Sequence, residues 1–206
     1  MEPLGDKAPF PEEDQQLVAR CKKGDEQAFE EMVHKYQQTV LNLVFHHLGH
    51  RSDVEDIAQK IFIKVYLSLE RFDNKRPFFP WLYRIVLNQC YDELRHVRRQ
   101  RVRTFTDLSM DDVDTVERLI SQSEPAPQPE GDRQEMYSLL YKLLDQLPDK
   151  QRTAVIMRDL EEVSYGHMAE VLGWTEQAAR LKVFRGRARL RELMEKALRR
   201  RETLRR

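Results

Sequence analysis

From Phe29 to Leu69 the apolar residues recur in steps of three and four. That spacing covers one face of a helix and cannot line one face of a strand. The first stripe is Phe29, Met32, Val33, Tyr36, Val40, Leu43 and Val44, and Gly49 predicts its end. The second is Val54, Ile57, Ala58, Ile61, Phe62, Val65 and Leu69, with Asp56, Gln59, Lys60 and Lys64 off it. Ser52 or Asp53 can cap this second helix. Glu55 and Asp56 then occupy its first turn, where the helix dipole favours acids. A shorter helix is expected from about Glu13 to Lys22, ending at Gly24, and a longer one from about Trp81 to Arg103. Alternating β-branched runs are absent and glycine is scarce, so the expected fold is all-α.

Pro125, Pro127 and Pro129 alternate, which no regular helix tolerates. From Thr104 to Asp132 the acids are Asp107, Asp111, Asp112, Asp114, Glu117, Glu124, Glu130 and Asp132, against the single base Arg118. A boundary between two helical domains therefore falls within 104–132. Beyond it the sequence predicts helices over about Gln134–Gln146, stopped by Leu147-Pro148, and about Lys150–Asp159. A short helix over Ser164–Leu172 follows, capped by Ser164, then a glycine turn and a long helix from Thr175. This is the helix-turn-helix pattern. Met168, Ala169, Leu172, Trp174, Ala179 and Val183 sit where its helices pack, and Gly173 supplies the positive φ of the turn.

Formal net charge is zero, but it is the sum of segregated blocks. Arg95–Arg103 is a run without an acid, and Arg and Lys dominate from Arg180 onward. Segregation of this kind suggests an interaction protein. The second helix of the helix-turn-helix would present Gln177, Arg180, Leu181, Lys182, Phe184 and Arg185 to a major groove. Gln pairs with adenine, Arg with guanine, and Phe or Leu touches a thymine methyl. Arg187, Arg189 and Arg191 lie further on and are expected at phosphates or in solvent. The bland alternative is a helical hairpin with a solvated basic face. The stretch Arg71–Leu82 and the residues just after it mix Phe72, Phe78, Phe79, Trp81 and Tyr83 with Arg71, Lys75, Arg76 and Arg84, which suits unstacked single-stranded bases. Its bland alternative is a loop plugged by core aromatics.

His46 and His50 would share a helical face, but Gly49 breaks the helix between them, and no Cys, Asp or Glu completes a metal set with them and His47. Cys21 and Cys90 form neither a disulfide framework nor a CxxC site. No nucleotide-binding, zinc-protease or serine-hydrolase motif occurs, so neither an enzyme nor a cofactor is expected. No stretch approaches a membrane span, and Met1–Asp14 lacks the features of a signal peptide; a cytosolic protein is expected.

Five ordered motifs carry a resemblance. They are Gly24-Asp25-Glu26-Gln27-Ala28-Phe29 with Tyr36; Asp53-Val54-Glu55-Asp56-Ile57-Ala58-Gln59 with Ile61-Phe62; and Trp81-Leu82-Tyr83-Arg84-Ile85 with Asn88, Asp92 and Arg95. The fourth is Leu147-Pro148-Asp149-Lys150-Gln151-Arg152 with Ser164-Tyr165, Met168-Ala169-Glu170 and Leu172-Gly173. Arg185-Gly186-Arg187 with Leu190-Arg191 closes the set. Together they resemble the extracytoplasmic-function (ECF) sigma factors, group 4 of the sigma-70 family.

The resemblance implies a sigma2-like domain over 13–103, a linker over 104–132 and a sigma4-like domain over 133–198, with tails at 1–12 and 199–206. It implies that Asp53, Glu55, Asp56, Gln59, Lys60 and Ile63 dock core RNA polymerase, at the clamp of the large beta-prime subunit, with the beta subunit also a partner. Asp73, Asn74, Lys75, Phe78, Trp81, Arg84, Asn88 and Arg95 would meet the single-stranded −10 element, the loop before Trp81 taking a flipped base. Gln177, Arg180, Leu181, Lys182, Phe184 and Arg185 would read the −35 duplex. The acidic linker would thread polymerase channels, and its charge suggests that in the free chain it masks the basic C-terminal helix. The resemblance further implies a stress response and a cytoplasmic bacterial protein that an anti-sigma factor can hold at the inner membrane.

Four departures from the family pattern stand out. Lys60 replaces an acid, Ala178-Ala179 replaces Thr-Val, Leu181 replaces a small polar residue, and Gly166 replaces an acid. Pro77 and Pro80 stiffen the −10 loop. The competing readings are a stand-alone helix-turn-helix regulator and an adaptor that binds polymerase without reading DNA.

Overall fold

The computed structural model describes residues 12–49, 53–100 and 130–204. Among these residues all regular structure is helical. An N-terminal unit contains α1 (Glu12–Cys21), α2 (Glu26–Leu48), α3 (Val54–Leu69) and α4 (Phe78–Gln100). A C-terminal unit contains α5 (Glu130–Leu144), α6 (Asp149–Val155), α7 (Tyr165–Leu172) and α8 (Glu176–Leu204). Helix α5 starts inside the stretch expected to be linker, and α8 runs on through 199–204. Residues 101–129, and with them the expected masking by the linker, lie outside the described residues, as do His50 and Ser52.

Local chemistry sets most helix ends. Asp25 caps α2 by accepting from the Ala28 N–H at 3.1 Å. Gly49 ends it at φ 69°. Asp53 holds the cap position of α3 but makes no side-chain capping bond, so its help there is limited to charge near the dipole. Helix α4 begins at Phe78 rather than Trp81. Pro80 falls in its first turn, where a missing N–H breaks no helical bond. Phe78, Phe79 and Pro80 are thus helical, and the loop before them is shorter than expected.

The two predicted stripes become the core. Met32, Tyr36, Val40, Leu43 and Val44 of α2 pack with Ile57, Ile61, Val65 and Leu69 of α3 and with Leu82, Val86 and Leu87 of α4. Helix α1 is tied on by the buried Asp14, which accepts from Tyr36 Oη at 2.5 Å and Lys35 Nζ at 2.8 Å. In the C-terminal unit Ser164 caps α7 through the His167 N–H, and Thr175 caps α8 through the Ala178 N–H. Gly173 is left-handed at φ 66°. Met168, Val171, Ala179 and Val183 are buried between the two helices. Ala169 is only half-buried; its carbonyl accepts both the Gly173 and Trp174 N–H groups.

Helix α6 continues as a π-helical segment, Ile156–Leu160, and then turns sharply. The Glu161 N–H reaches back to the Ile156 carbonyl at 3.1 Å and the Val163 N–H to Met157 at 2.8 Å. Glu162 is left-handed at φ 57°, a costly conformation for a residue with a Cβ. This turn drives Glu161 inward, to 2% exposure, against the other unit. There its carboxyl group accepts the Tyr83 hydroxyl, and His46 Nδ1 and His47 Nε2 each lie 3.5 Å from Glu161 Oε1. The buried residues Met157, Val163, Met168 and Val171 run on from the core of the N-terminal unit, so the two units share one apolar cluster.

Two stability predictions follow from positions inside this frame. Gly186 lies in α8, where an added Cβ would meet Val155 Cγ2 at 2.6 Å and the Gln151 carbonyl oxygen at 3.3 Å. Valine is stiff at χ1, so Gly186→Ala should lose about 1–2 kcal/mol despite its better helix propensity. At Gly166 the Cβ would meet only the flexible Glu176 carboxylate, at 3.3 Å, and Gly166→Ala should gain up to about 1 kcal/mol. Urea melts of the two variants should therefore shift in opposite directions. His47 supplies the second prediction. Burial pulls its pKa down to about 4, opposed by Glu161 and aided by Arg152 and His46. The unfolded side chain titrates near 6.5. Between those values the unfolded state binds more protons, so stability falls as pH drops from about 6.5 to 4, by up to about 3 kcal/mol. His47→Gln should remove that share of the acid sensitivity in melts across this range.

Candidate nucleic-acid interface

Three surfaces carry the residues singled out by sequence. The first is the outer face of α3. Asp53, Glu55, Asp56, Gln59, Lys60 and Ile63 are all exposed. Asp56, Gln59, Ile63, Tyr66 and Leu67 recur in steps of three and four, so they share one face. Ile63, Tyr66 and Leu67 are exposed at 59%, 60% and 73%. Tyr66 and Leu67 lie off the core stripe and belong to no motif; their only signal in the sequence is that they are apolar and out of phase with it. Lys60 Nζ lies 3.4 Å from Glu93 and Lys64 Nζ 3.6 Å from Asp92. The departure at Lys60 thus links α3 to α4 rather than adding a lone charge.

The second surface is the loop before α4. Asp73 folds it, accepting the Lys75 N–H on Oδ1 at 3.0 Å and the Arg76 N–H on its carbonyl at 2.9 Å. Lys22 Nζ ties the loop down through the Phe72 carbonyl at 2.5 Å. An open cavity of about 560 Å³ lies here, walled by Arg71, Phe72, Asp73, Arg76, Pro77, Pro80, Trp81 and Arg84. Its remaining wall is Glu170, from α7 of the other unit. Trp81 is half-buried and its ring lies 4.8 Å from that of Phe72. Asn74 Oδ1 is a buried acceptor without a hydrogen-bond partner among the described residues, an unmet demand a ligand can satisfy. Phe78 is only 3% exposed, packed on Tyr36, Phe72 and Trp81, because it opens α4 on the core side. Asn88 and Arg95 are exposed further along α4, with Arg95 held 3.2 Å from Asp92.

The third surface is α8. Gln177, Arg180, Leu181, Phe184 and Arg185 are exposed, Leu181 at 45% and Phe184 at 70%. Arg180 stacks over Tyr165 and lies 3.5 Å from Glu176, and Lys182 lies over the Trp174 ring. Beyond Arg185 the basic residues expected at phosphates or in solvent are partly occupied within the chain. Arg187 binds Asp159, with Nε at 3.1 Å, and Arg189 binds Glu192 at 2.6 Å.

The contacts between the units were not foreseen. Arg84 Nε donates to the Val171 carbonyl at 2.5 Å and Nη2 to the Glu170 carbonyl at 2.8 Å, both at the C-terminal end of α7. Phe79 stacks on His167 at 6.3 Å. The Tyr91 and Thr153 hydroxyls are 2.5 Å apart, and Tyr141 Oη donates to the Phe45 carbonyl at 3.0 Å. These partners are 62 to 96 residues apart, and no local pattern announces such pairs.

Among the described residues no cluster of His, Cys, Asp and Glu could hold a metal ion, and no helix is long and apolar enough to cross a membrane.

Residues 32–100 match the Sigma-70 region 2 family and residues 137–190 the Sigma-70, region 4 family. The RNA polymerase sigma-H factor of Pseudomonas aeruginosa is 34% identical over 91% of this chain and 94% of its own length. The ECF RNA polymerase sigma-E factor of Escherichia coli is 30% identical over 91% of this chain and 97% of its own. The solved structure of CnrH, in complex with the cytosolic domain of CnrY, aligns with a TM-score of 0.60 at 23% identity, over 89% of this chain and 97% of that one. It shares the fold. With both sigma-70 regions matched in order and relatives aligned along nearly its whole length, the chain belongs to the sigma-70 family as a sigma factor of the ECF type.

Proposed function

We propose that this sigma factor brings core RNA polymerase to two-part promoters, with α8 reading the −35 duplex and the loop–α4 surface holding the opened −10 strand. The observation that carries the reading is the pairing of two different nucleic-acid surfaces in one chain. One is an exposed recognition helix; the other is a cavity that combines Arg71, Arg76 and Arg84 with Trp81. A duplex reader needs side chains that reach base edges. A strand reader needs an aromatic platform with cations for the backbone. A stand-alone regulator would use the first and leave the second without a task.

On this reading Arg185 and Gln177 hydrogen-bond base edges, while Leu181 and Phe184 lie against thymine methyls. Flipping a base out of the stack costs a few kcal/mol; stacking on Trp81 and a bond to Asn74 Oδ1 offset that cost. Phe78 contributes from beneath, by fixing Trp81. Arg84, Asn88 and Arg95 follow the backbone along α4. Asp56, Gln59, Ile63, Tyr66 and Leu67 dock the clamp of the beta-prime subunit, with an apolar centre and a polar edge. The protein acts by binding rather than by catalysis, as a cytoplasmic factor, and an anti-sigma factor at the inner membrane controls it. Control by an anti-sigma factor has a parallel among structural relatives, since the sigma factor RpoE of Bartonella quintana was solved with the anti-sigma factor NepR.

Reconstituted transcription tests the reading. Core polymerase, this protein and a genomic promoter library should give discrete start sites sharing two spaced motifs. Arg185→Ala should lower initiation about 5- to 150-fold, the range set by 1–3 kcal/mol for one bidentate base contact. Trp81→Ala should abolish opening while leaving duplex binding intact. Absence of transcripts together with binding to palindromic duplexes by the protein alone would establish the regulator instead. For the polymerase face, Leu67→Asp should weaken binding to purified core about thirtyfold, as loss of a central apolar contact does. Its melting temperature should not change. Unaltered affinity for core would remove α3 from the docking surface.

A further inference from the structure

Among the described residues the exposed large apolar side chains are Ile63, Tyr66 and Leu67 on α3 and Leu181 and Phe184 on α8. Incidental apolar residues scatter singly over a surface; these fall on two faces only. The α3 group lies on the face assigned to polymerase, and the α8 pair lies in the middle of the face assigned to the −35 duplex. Gln177, Leu181, Phe184 and Ala188 follow steps of four, three and four, so they form one ridge along α8. All four are exposed. The ridge therefore presents one hydrogen-bonding side chain, Gln177, and then a run of apolar ones.

Two cations near the ridge are held elsewhere. Arg180 lies over the Tyr165 ring, 4.4 Å from its centroid, and pairs with Glu176 at 3.5 Å. Lys182 is half-buried, with Nζ 4.8 Å from the centroid of Trp174. Both contacts keep the charge toward α7 and the turn that follows it. At position 181 the side chain offered to the groove has neither donor nor acceptor. Every base shows hydrogen-bonding groups in the major groove, and the one apolar group shown there is the C5-methyl of thymine. Leu181 set against an amine or a carbonyl would strip that group of water and leave it unpaired, at a cost in free energy. Set against a methyl, it buries apolar surface on both sides. A cytosine methylated at C5 carries the same methyl at the same ring position. Leu181 lies about 6 Å along the helix from Gln177, at 1.5 Å per residue, so its methyl sits about two base pairs from the adenine that Gln177 would take, at ~3.4 Å per pair.

We propose that Leu181 makes the −35 reader selective for a pyrimidine bearing a C5-methyl group, thymine or 5-methylcytosine, so that methylation of a cytosine at that position strengthens promoter binding. The inference rests on the promoter reading and names the group that one of its side chains selects. Phe184, the next residue along the ridge, extends the apolar surface and keeps water off the contact. Exchanging thymine for uracil, or 5-methylcytosine for cytosine, removes the methyl and leaves the hydrogen-bonding groups of the base in place. Each exchange therefore isolates the contact made by Leu181.

The test uses holoenzyme reconstituted from core polymerase and the full chain, on a promoter defined by run-off mapping. In synthetic copies each thymine of the −35 element, on either strand, is replaced singly by uracil, and binding is read by anisotropy of the labelled promoter. At the position facing Leu181 loss of the methyl should weaken binding about fourfold, the factor expected for burial of one methyl-sized group. With a cytosine–guanine pair placed at that position, 5-methylcytosine should bind about fourfold better than cytosine. Leu181→Ser should erase both differences there and leave the effects of uracil elsewhere unchanged. Its melting temperature should match the wild type, since Leu181 is 45% exposed. Leu181→Met keeps an apolar tip and should keep both differences. Equal binding with and without the methyl at every −35 position overturns the proposal, as does a methyl preference that survives in Leu181→Ser. A response to uracil with no gain from 5-methylcytosine overturns it too, because the methyl is then not the group selected. Run-off transcripts from a promoter whose −35 element is blind to the methyl sink this inference alone. Absence of transcripts with the wild-type chain sinks the promoter reading and this inference with it.

Discussion

An acid buried between two helical units organises much of this structure. Glu161 arrives there because α6 does not end as an α-helix. Its last turn widens into a π-helical segment, the following amide reaches five residues back, and Glu162 adopts a left-handed conformation. Widened turns and strained residues of this sort gather at functional positions. Here they swing one carboxyl group out of the solvent and onto Tyr83. The apolar residues on either side, Met157 and Val163, then join the core of the other unit. Without the irregular turn, α6 would continue past the interface, and α7 would have no reason to lie on α4.

The consequences spread to both surfaces proposed to meet DNA. With α7 anchored at Met168 and Val171, its carbonyl end faces Arg84. The same anchoring turns the opposite side of the helix-turn-helix outward and leaves α8 exposed along Gln177–Arg185. The recognition helix also holds less loose charge than its composition suggests. Arg180, Arg187, Arg189 and Arg199 each have an acidic partner within the chain. Pairs like these at exposed positions contribute little to stability, but they orient the guanidinium groups and lower the net positive field. Arg185 is exposed on the same face as Gln177, Leu181 and Phe184, as the proposed reading of base edges requires.

Much of this was legible in the sequence, for a physical reason. Stripes, caps and glycine turns are local signals, and they placed α2, α3, α7 and the turn at Gly173 within a residue or so. The misplaced start of α4 is also local. Pro80 suggests a loop, but a first turn accepts proline as easily as a loop does. The helical start at Phe78 also turns that ring to the core, so it is 3% exposed and not the base contact that the resemblance implies. The Glu161–Tyr83–His47 contact is different in kind. Its members have no periodic relation, and Glu161, beside Glu162 and two residues after Asp159, reads as part of a solvated acidic turn. The acid that His46 and His47 face, Glu161, comes from the other unit, more than a hundred residues on.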